Sequence, residues 1–269
     1  MTPQERLRQF AADPKLAELA TDIAVAIAFY TRLPWRPTVP VGGPELARAI
    51  WASPIAGALI GLGGALVYWI AFRLKVPPIP AAALAIAATL LLTGALHEDG
   101  LADVADGFGG GETREQKLEI MRDSRIGTYG VIAVAMSLIL RVGALSEIAQ
   151  VSRSSAVIAT LIATHAAARG FLPAVMFILT PARRDGLLAS AGQPAGARVA
   201  IAFLLGALLL VLGLGIKTGL AALLLAVIAM SVLAWIAVRQ IGGQTGDVLG
   251  AQEQVVECTV LVVAAAALG

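Results

Sequence analysis

The sequence predicts an all-α fold: a single integral membrane domain over residues 1–269, with about seven transmembrane helices and an N-terminal interfacial or re-entrant helix. Three observations predict it. Apolar residues make up 58% of the chain and charged residues 14%, with a mean hydropathy of +0.82; a soluble domain is nearer half apolar and a quarter charged. The apolar residues fall into runs close to the roughly 20 residues that a bilayer core demands of a helix. Lysine and arginine concentrate on one set of alternate connections, as the positive-inside rule requires.

The spans are expected near Ile50–Phe72, Ile79–Leu96, Ile126–Ala149, Ser155–Leu179, Val199–Ile216, Leu220–Val238 and Val248–Leu268. Pro77, Pro78 and Pro80 punctuate one reversal and Lys217-Thr218-Gly219 another. The earlier apolar piece Ile23–Tyr30 is too short to cross, so Pro14–Tyr30 reads as an interfacial or re-entrant helix within an N-terminal segment 1–48. The first residues lack the pattern of a secretory signal. Counting Lys and Arg gives 14 on the N-terminal side of the membrane against 4 on the other, which places that side in the cytoplasm. The segment 97–125 is then expected to be a cytoplasmic catalytic loop. The net charge of +2 supplies no bulk attraction for nucleic acid. Cys258 is the only cysteine, so no internal disulfide exists, and its apolar run reads as that of a small buried hydrophobe.

The chemistry is expected where the polar residues gather. His97-Glu98-Asp99-Gly100-Leu101-Ala102-Asp103-Val104-Ala105-Asp106-Gly107 holds four carboxylates in nine residues, at the end of a span. If the segment is helical, Asp99, Asp103 and Asp106 fall at i, i+4 and i+7 on one face. Like charges stacked in this way need cations or water among them, and hard oxygen ligands suit Mg²⁺, Mn²⁺ or Ca²⁺. The nearby glycines either turn the chain or let backbone approach a phosphate. Arg122, Asp123, Ser124 and Arg125 stand at the mouth of the next span. The two arginines suit a diphosphate, although positive-inside anchoring alone also accounts for them. In Gly242–Gly250, Asp247 completes a metal shell or caps the last helix, with Gln244 and Thr245 beside it. Glu253 and Glu257 follow inside an apolar run and are expected to face the interior, while Arg141, His165 and Arg169 either pair structurally or line a substrate cavity. With only His97 and His165 and no HExxH or Cys/His pattern, a zinc site is not expected.

At these residues the chain resembles the cobalamin synthase family, adenosylcobinamide-GDP ribazoletransferase. The stretches that carry the resemblance are Phe29–Pro34, HEDGLADVADG from His97, KLEIMRDSRIGTYG through Arg122 to Gly130, and Gly242–Gly250, in order over nearly the whole chain. The resemblance implies an inner-membrane, multi-pass, Mg²⁺-dependent phosphotransferase with its active site facing the cytoplasm. Its substrates would be adenosylcobinamide-GDP and α-ribazole or its 5′-phosphate, and its products the cobamide (or its phosphate) and GMP. A ribose hydroxyl would attack the phosphorus attached to cobinamide. One or two Mg²⁺ ions would be held by Asp99, Asp103 and Asp106 with Glu98 nearby and Asp247 closing the shell. Arg122 and Arg125 would bind the diphosphate, with Ser124, Gln244 and Thr245 as further substrate contacts, and Asp103 or Asp123 would be the general base. Assembly into a homo-oligomer is left open. Two other readings stand beside this one. A CDP-alcohol phosphotransferase also stacks aspartates on a helix, but here Phe108-Gly109-Gly110 follows Gly107 where that motif continues differently. A transporter would use Arg141, His165 and Arg169 along its path, yet no convincing internal repeat is present.

Overall fold

The computed structural model describes residues 14–183, 185–186 and 190–268, and among them it is helical throughout apart from connections. The first thirteen residues of the expected N-terminal segment lie outside the described residues. Helix α1 is Pro14–Tyr30, α2 is Gly43–Ala49, and a 3₁₀ turn over Ile50–Ala52 leads into α3, Ser53–Arg73. Then come α4 (Pro78–Thr93), α5 (Leu96–Gly110), α6 (Arg114–Ile120), α7 (Thr128–Val151), α8 (Ser154–Ile178), α9 (Gly196–Leu214), α10 (Ile216–Ile241) and α11 (Gly246–Leu268).

Six segments are long and apolar enough to cross a bilayer: Gly43–Arg73, α7, α8, α9, α10 and α11. The pair α4 and α5, bent by 89° at a short break, is together long and apolar enough to make a seventh. Helix α1, with 17 residues, is about 26 Å long at 1.5 Å per residue, short of the roughly 30 Å hydrocarbon core. It is fastened by Asp22, which is buried and accepts hydrogen bonds from Arg48 Nε (2.9 Å), Trp51 Nε1 (2.8 Å) and Arg198 Nη1 (2.8 Å). One carboxylate thus ties α1 to α2, the 3₁₀ turn and α9.

Helices α8 and α11 are the most enclosed, and the other spans turn Leu, Ile and Val outward, as at Leu204, Leu212 and Ile139. Apolar side chains gain nothing from burial between helices in lipid, so close packing needs small residues. Gly57 and Gly61 of α3 lie directly on the α8 backbone at His165 and Leu161, and Gly170 of α8 meets Gly206 of α9.

The break before α5 is built from two residues in the left-handed region, Gly94 (φ 68°) and Ala95 (φ 57°). For alanine this conformation costs about 1–2 kcal/mol. The chain is held there by Arg32, whose backbone N–H donates to Leu92 O at 2.6 Å and whose side chain packs over Gly94. Segment 97–125, expected as a loop, therefore begins as a helical limb. Glu98, near its start, meets Arg141, thirteen residues into α7, which is about 20 Å from that helix's beginning. Asp106, near its end, meets Gly127 and Gly130 at the first turn of α7. Helix α5 therefore runs back along the first half of α7 as the second limb of a broken span.

Candidate active site

Helix α5 distributes its four carboxylates to different tasks. Glu98 is buried, and its Oε1 accepts from Arg141 Nη1 at 2.9 Å and Gln254 Nε2 at 3.0 Å. Asp106 is also buried; Oδ2 accepts from Gly127 N–H at 2.7 Å and Oδ1 from Gly130 N–H at 2.9 Å. These are orphan amides at the start of α7, so Asp106 caps a helix from outside its own sequence. Asp99 is exposed and Asp103 half-buried, and both keep their carboxylates free for other partners. Asp103 feels the negative charge of Asp247, Asp99 and Asp106 and the positive charge of Arg183.

Asp247 is brought to this group by a glycine contact. Gly100 of α5 and Gly250 of α11 touch backbone to backbone; a Cβ on Gly100 would lie 2.8 Å from Asp247 O and 3.2 Å from Gly250 Cα. Thr245 Oγ1 accepts from Val248 N–H at 3.2 Å and so takes the capping role at α11, leaving Asp247 for the site. Arg183 is placed by a two-residue backbone bridge: Gln244 N–H donates to Thr180 O at 2.9 Å and Ala182 N–H donates to Gln244 O at 2.8 Å. Its guanidinium reaches Asp247 at 3.6 Å and Leu118 O at 3.1 Å, while its Nε is buried without a partner.

These groups surround a cavity of about 290 Å³. Its mouth carries the exposed or partly exposed Asp99, Arg183, Asp185 and Asp247, with the buried Gln244 and Thr245 just inside. Its interior wall is apolar, with Phe29, Leu46, Ile50, Leu172, Met176 and Leu249. Tyr30 and His97 meet at its base with ring centroids 5.9 Å apart.

Beneath the cavity lies a second set of ions. Arg141 donates to Glu98 and to Glu257 Oε2, both at 2.9 Å; Arg169 meets Glu253 at 2.5 Å and Glu257 at 3.1 Å; His165 Nδ1 contacts Glu257. Gln254, held by Ser137 Oγ at 2.7 Å, joins Glu98 to Glu253. Among the described residues, His165, Glu253 and Glu257 form the only trio whose ligand atoms lie within 4.8 Å of one another. Two arginines already neutralise those carboxylates, which makes the trio a poor host for a cation.

The chain matches the family model described as Cobalamin-5-phosphate synthase over residues 22–265. It belongs to the cobalamin-5-phosphate synthase family. Curated relatives bear the name adenosylcobinamide-GDP ribazoletransferase. The one from Bradyrhizobium diazoefficiens is 55% identical and the one from Mesorhizobium japonicum 50%, each over 93% of this chain and 95% of the relative. The one from Ralstonia nicotianae is 45% identical over 91% of this chain and 95% of the relative. No solved structure matches the chain.

Within this cobalamin-5-phosphate synthase family member, the structure gathers some of the expected site residues and separates others. Asp99, Asp103, Asp247, Gln244 and Thr245 come together. Glu98 and Asp106, expected as metal ligands, are taken up by Arg141 and by the first turn of α7. Arg122, Asp123, Ser124 and Arg125 lie outside the lining of the cavity. Arg122 Nη2 bonds both oxygens of Asp185 at the cavity mouth, at 2.8 and 2.7 Å, and so braces it from outside. Asp123 is bound by Arg125 at 2.6 Å, and those hydrogen bonds hold its carboxyl at about 2. A carboxyl that acidic is a weak proton acceptor near neutrality, which counts against Asp123 as general base. The interior-facing expectation for Glu253 and Glu257 holds, and Arg141, His165 and Arg169 pair structurally rather than line the cavity. Arg183 was missed by sequence reasoning. Its only signal was a second arginine-bearing connection on the same side of the expected topology as the acidic segment.

Proposed function

We propose that this chain joins adenosylcobinamide-GDP to α-ribazole or its 5′-phosphate and releases GMP, in the inner membrane with the cavity mouth toward the cytoplasm. The observation that supports this most directly is the cavity itself: an apolar chamber whose mouth gathers three acids, Asp99, Asp185 and Asp247, and one incompletely bonded arginine. In the reaction a ribose oxygen forms a bond to the phosphorus attached to cobinamide, the bond from that phosphorus to the bridging oxygen of GMP breaks, and the hydroxyl proton passes to a base. Asp103, flanked by Asp99, Asp106 and Asp247, is the assigned proton acceptor. Arg183, with its unpartnered Nε, is assigned to the diphosphate in place of Arg122 and Arg125.

The donor chemistry suits Mg²⁺: Asp99, Asp103 and Asp247 are hard oxygen ligands, with Arg183 as their opposing charge at the cavity mouth among the described residues, and an ion would have to draw together carboxylates that do not all lie within 4.8 Å of one another. A bound ion, or two, would neutralise the diphosphate and stabilise the entering and leaving oxygens. The residues of the chain position the acceptor, hold the phosphates and take the proton. The test is GMP release by purified protein given both substrates, with and without Mg²⁺. Release that needs the cation and the ribazole supports the reading; no release with either acceptor form overturns it.

A further inference from the structure

We infer that the apolar chamber is the acceptor subsite, taking the benzimidazole base of α-ribazole, and that Leu172 and Met176 set which bases enter. This rests on the ribazoletransferase reading and assigns one of its two substrates to a place.

Size is the first argument. A chamber of about 290 Å³ stands near the small end of ligand cavities. A corrin ring with its amide side chains cannot enter it, whereas one nucleoside can. The donor must therefore remain at the mouth, offering only its phosphates.

Chemistry of the walls is the second. Two aromatic-bearing molecules compete for such a chamber, the guanosine end of the donor and the ribazole. Guanine carries donors at N1 and N2 and acceptors at O6 and N7, and burying these unpaired against Phe29, Leu172, Met176 and Leu249 is costly. A dimethylbenzimidazole carries one free ring nitrogen and two methyl groups, and its faces and edges match an apolar wall.

The third argument fixes the orientation. Gln244 is 4% exposed, lines the cavity, and its side-chain oxygen has no partner. A buried acceptor left unpaired is unusual and calls for a donor. That oxygen is closed to water as it stands, and a ribose hydroxyl supplies the donor once the amide turns toward the cavity it lines. Gln244 lies just inside the mouth with Thr245, next to the partly exposed Asp247, so a ribose held there places its remaining hydroxyls at the acids, with the base pointing inward.

The test uses the full chain in detergent or nanodiscs, with steady-state kinetics in each substrate. Leu172→Phe shortens the chamber; the KM for α-ribazole is expected to rise ~10-fold or more while the KM for the donor changes less than about twofold. Met176→Ala widens it, and a riboside of a bulkier base, naphthimidazole, should gain ~10-fold in kcat/KM relative to α-ribazole. If Leu172→Phe does not fold, Met176→Ala decides alone. A rise in the donor KM with the ribazole KM unchanged would give the chamber to guanosine and overturn the assignment. So would folded variants that leave base preference untouched. Wild-type protein that releases no GMP at all defeats the underlying reaction instead, a result distinct from turnover with unaltered base selectivity.

Discussion

Two clusters of ions lie within one bundle, and they are composed alike. The deep one unites Glu98, Glu253 and Glu257 with Arg141, Arg169 and His165. The shallow one unites Asp99, Asp103 and Asp247 with Arg183. In the deep cluster every carboxylate faces a guanidinium, and all members are under a tenth exposed. In the shallow cluster, among the described residues, three acids share one arginine across 3.6 Å or more, and Asp99 is exposed. The difference shows what separates scaffold from chemistry in a membrane protein. Charges taken far from water must be matched, while charges left unmatched at a cavity mouth remain available to ligands.

Substitutions can break this contrast or sharpen it. The largest effect is expected from Asp103→Asn, which should lower kcat about 10²–10⁴-fold while the melting temperature in detergent stays level or rises. A parallel collapse of stability would place Asp103 with the scaffold. Arg141→Met is the reverse experiment. It strands Glu98 and leaves Glu257 to Arg169 and His165, and thermal or denaturant unfolding should show a loss of about 3–5 kcal/mol; an unaltered stability would mean that the deep pairs carry no weight. Arg183→Gln should cost about tenfold or more in kcat/KM, as the loss of a charge-assisted phosphate contact of about 1.5–3 kcal/mol, with folding preserved. Arg122→Gln removes an exposed pair with Asp185, so its effect on stability should be under about 1 kcal/mol. The smallest effect concerns pH. Because Asp123 is depressed to about 2, its contribution to stability is complete above its unfolded value near 3.9 and is lost only as pH falls toward 2. Asp123→Asn should leave the pH–rate profile above pH 5 unaltered; loss or displacement of an acidic limb there would restore it as a base.

The contrast was only partly visible in the chain's residues. The i, i+4, i+7 spacing of Asp99, Asp103 and Asp106 does fall on one helix, because that periodicity is local. What spacing could not reveal was the partner of each acid. Asp106 finds its amides 21 and 24 residues away, and Glu98 finds Arg141 at a separation of 43. Such long-range matches depend on how α5 lies against α7. The spans themselves were legible from apolar length, whereas the break at Gly94 and Ala95 was not, since nothing marks an alanine that adopts positive φ. The chamber was hidden for a different reason: Phe29, Leu172 and Met176 are apolar residues in apolar surroundings, and no pattern distinguishes those that line a void from those that fill a core.

The bent pair α4 and α5 also bears on biogenesis. When ribosomal synthesis has passed residue 110, Glu98 has neither Arg141 nor Glu257's network to receive it, and a lone acid at mid-bilayer is penalised by a few kcal/mol. The second limb is therefore expected to stay near the interface until α7 has emerged, and the last link, α11, follows more than a hundred residues after α5. The order in which this bundle closes is thus written into the distance along the chain between an acid and its guanidinium.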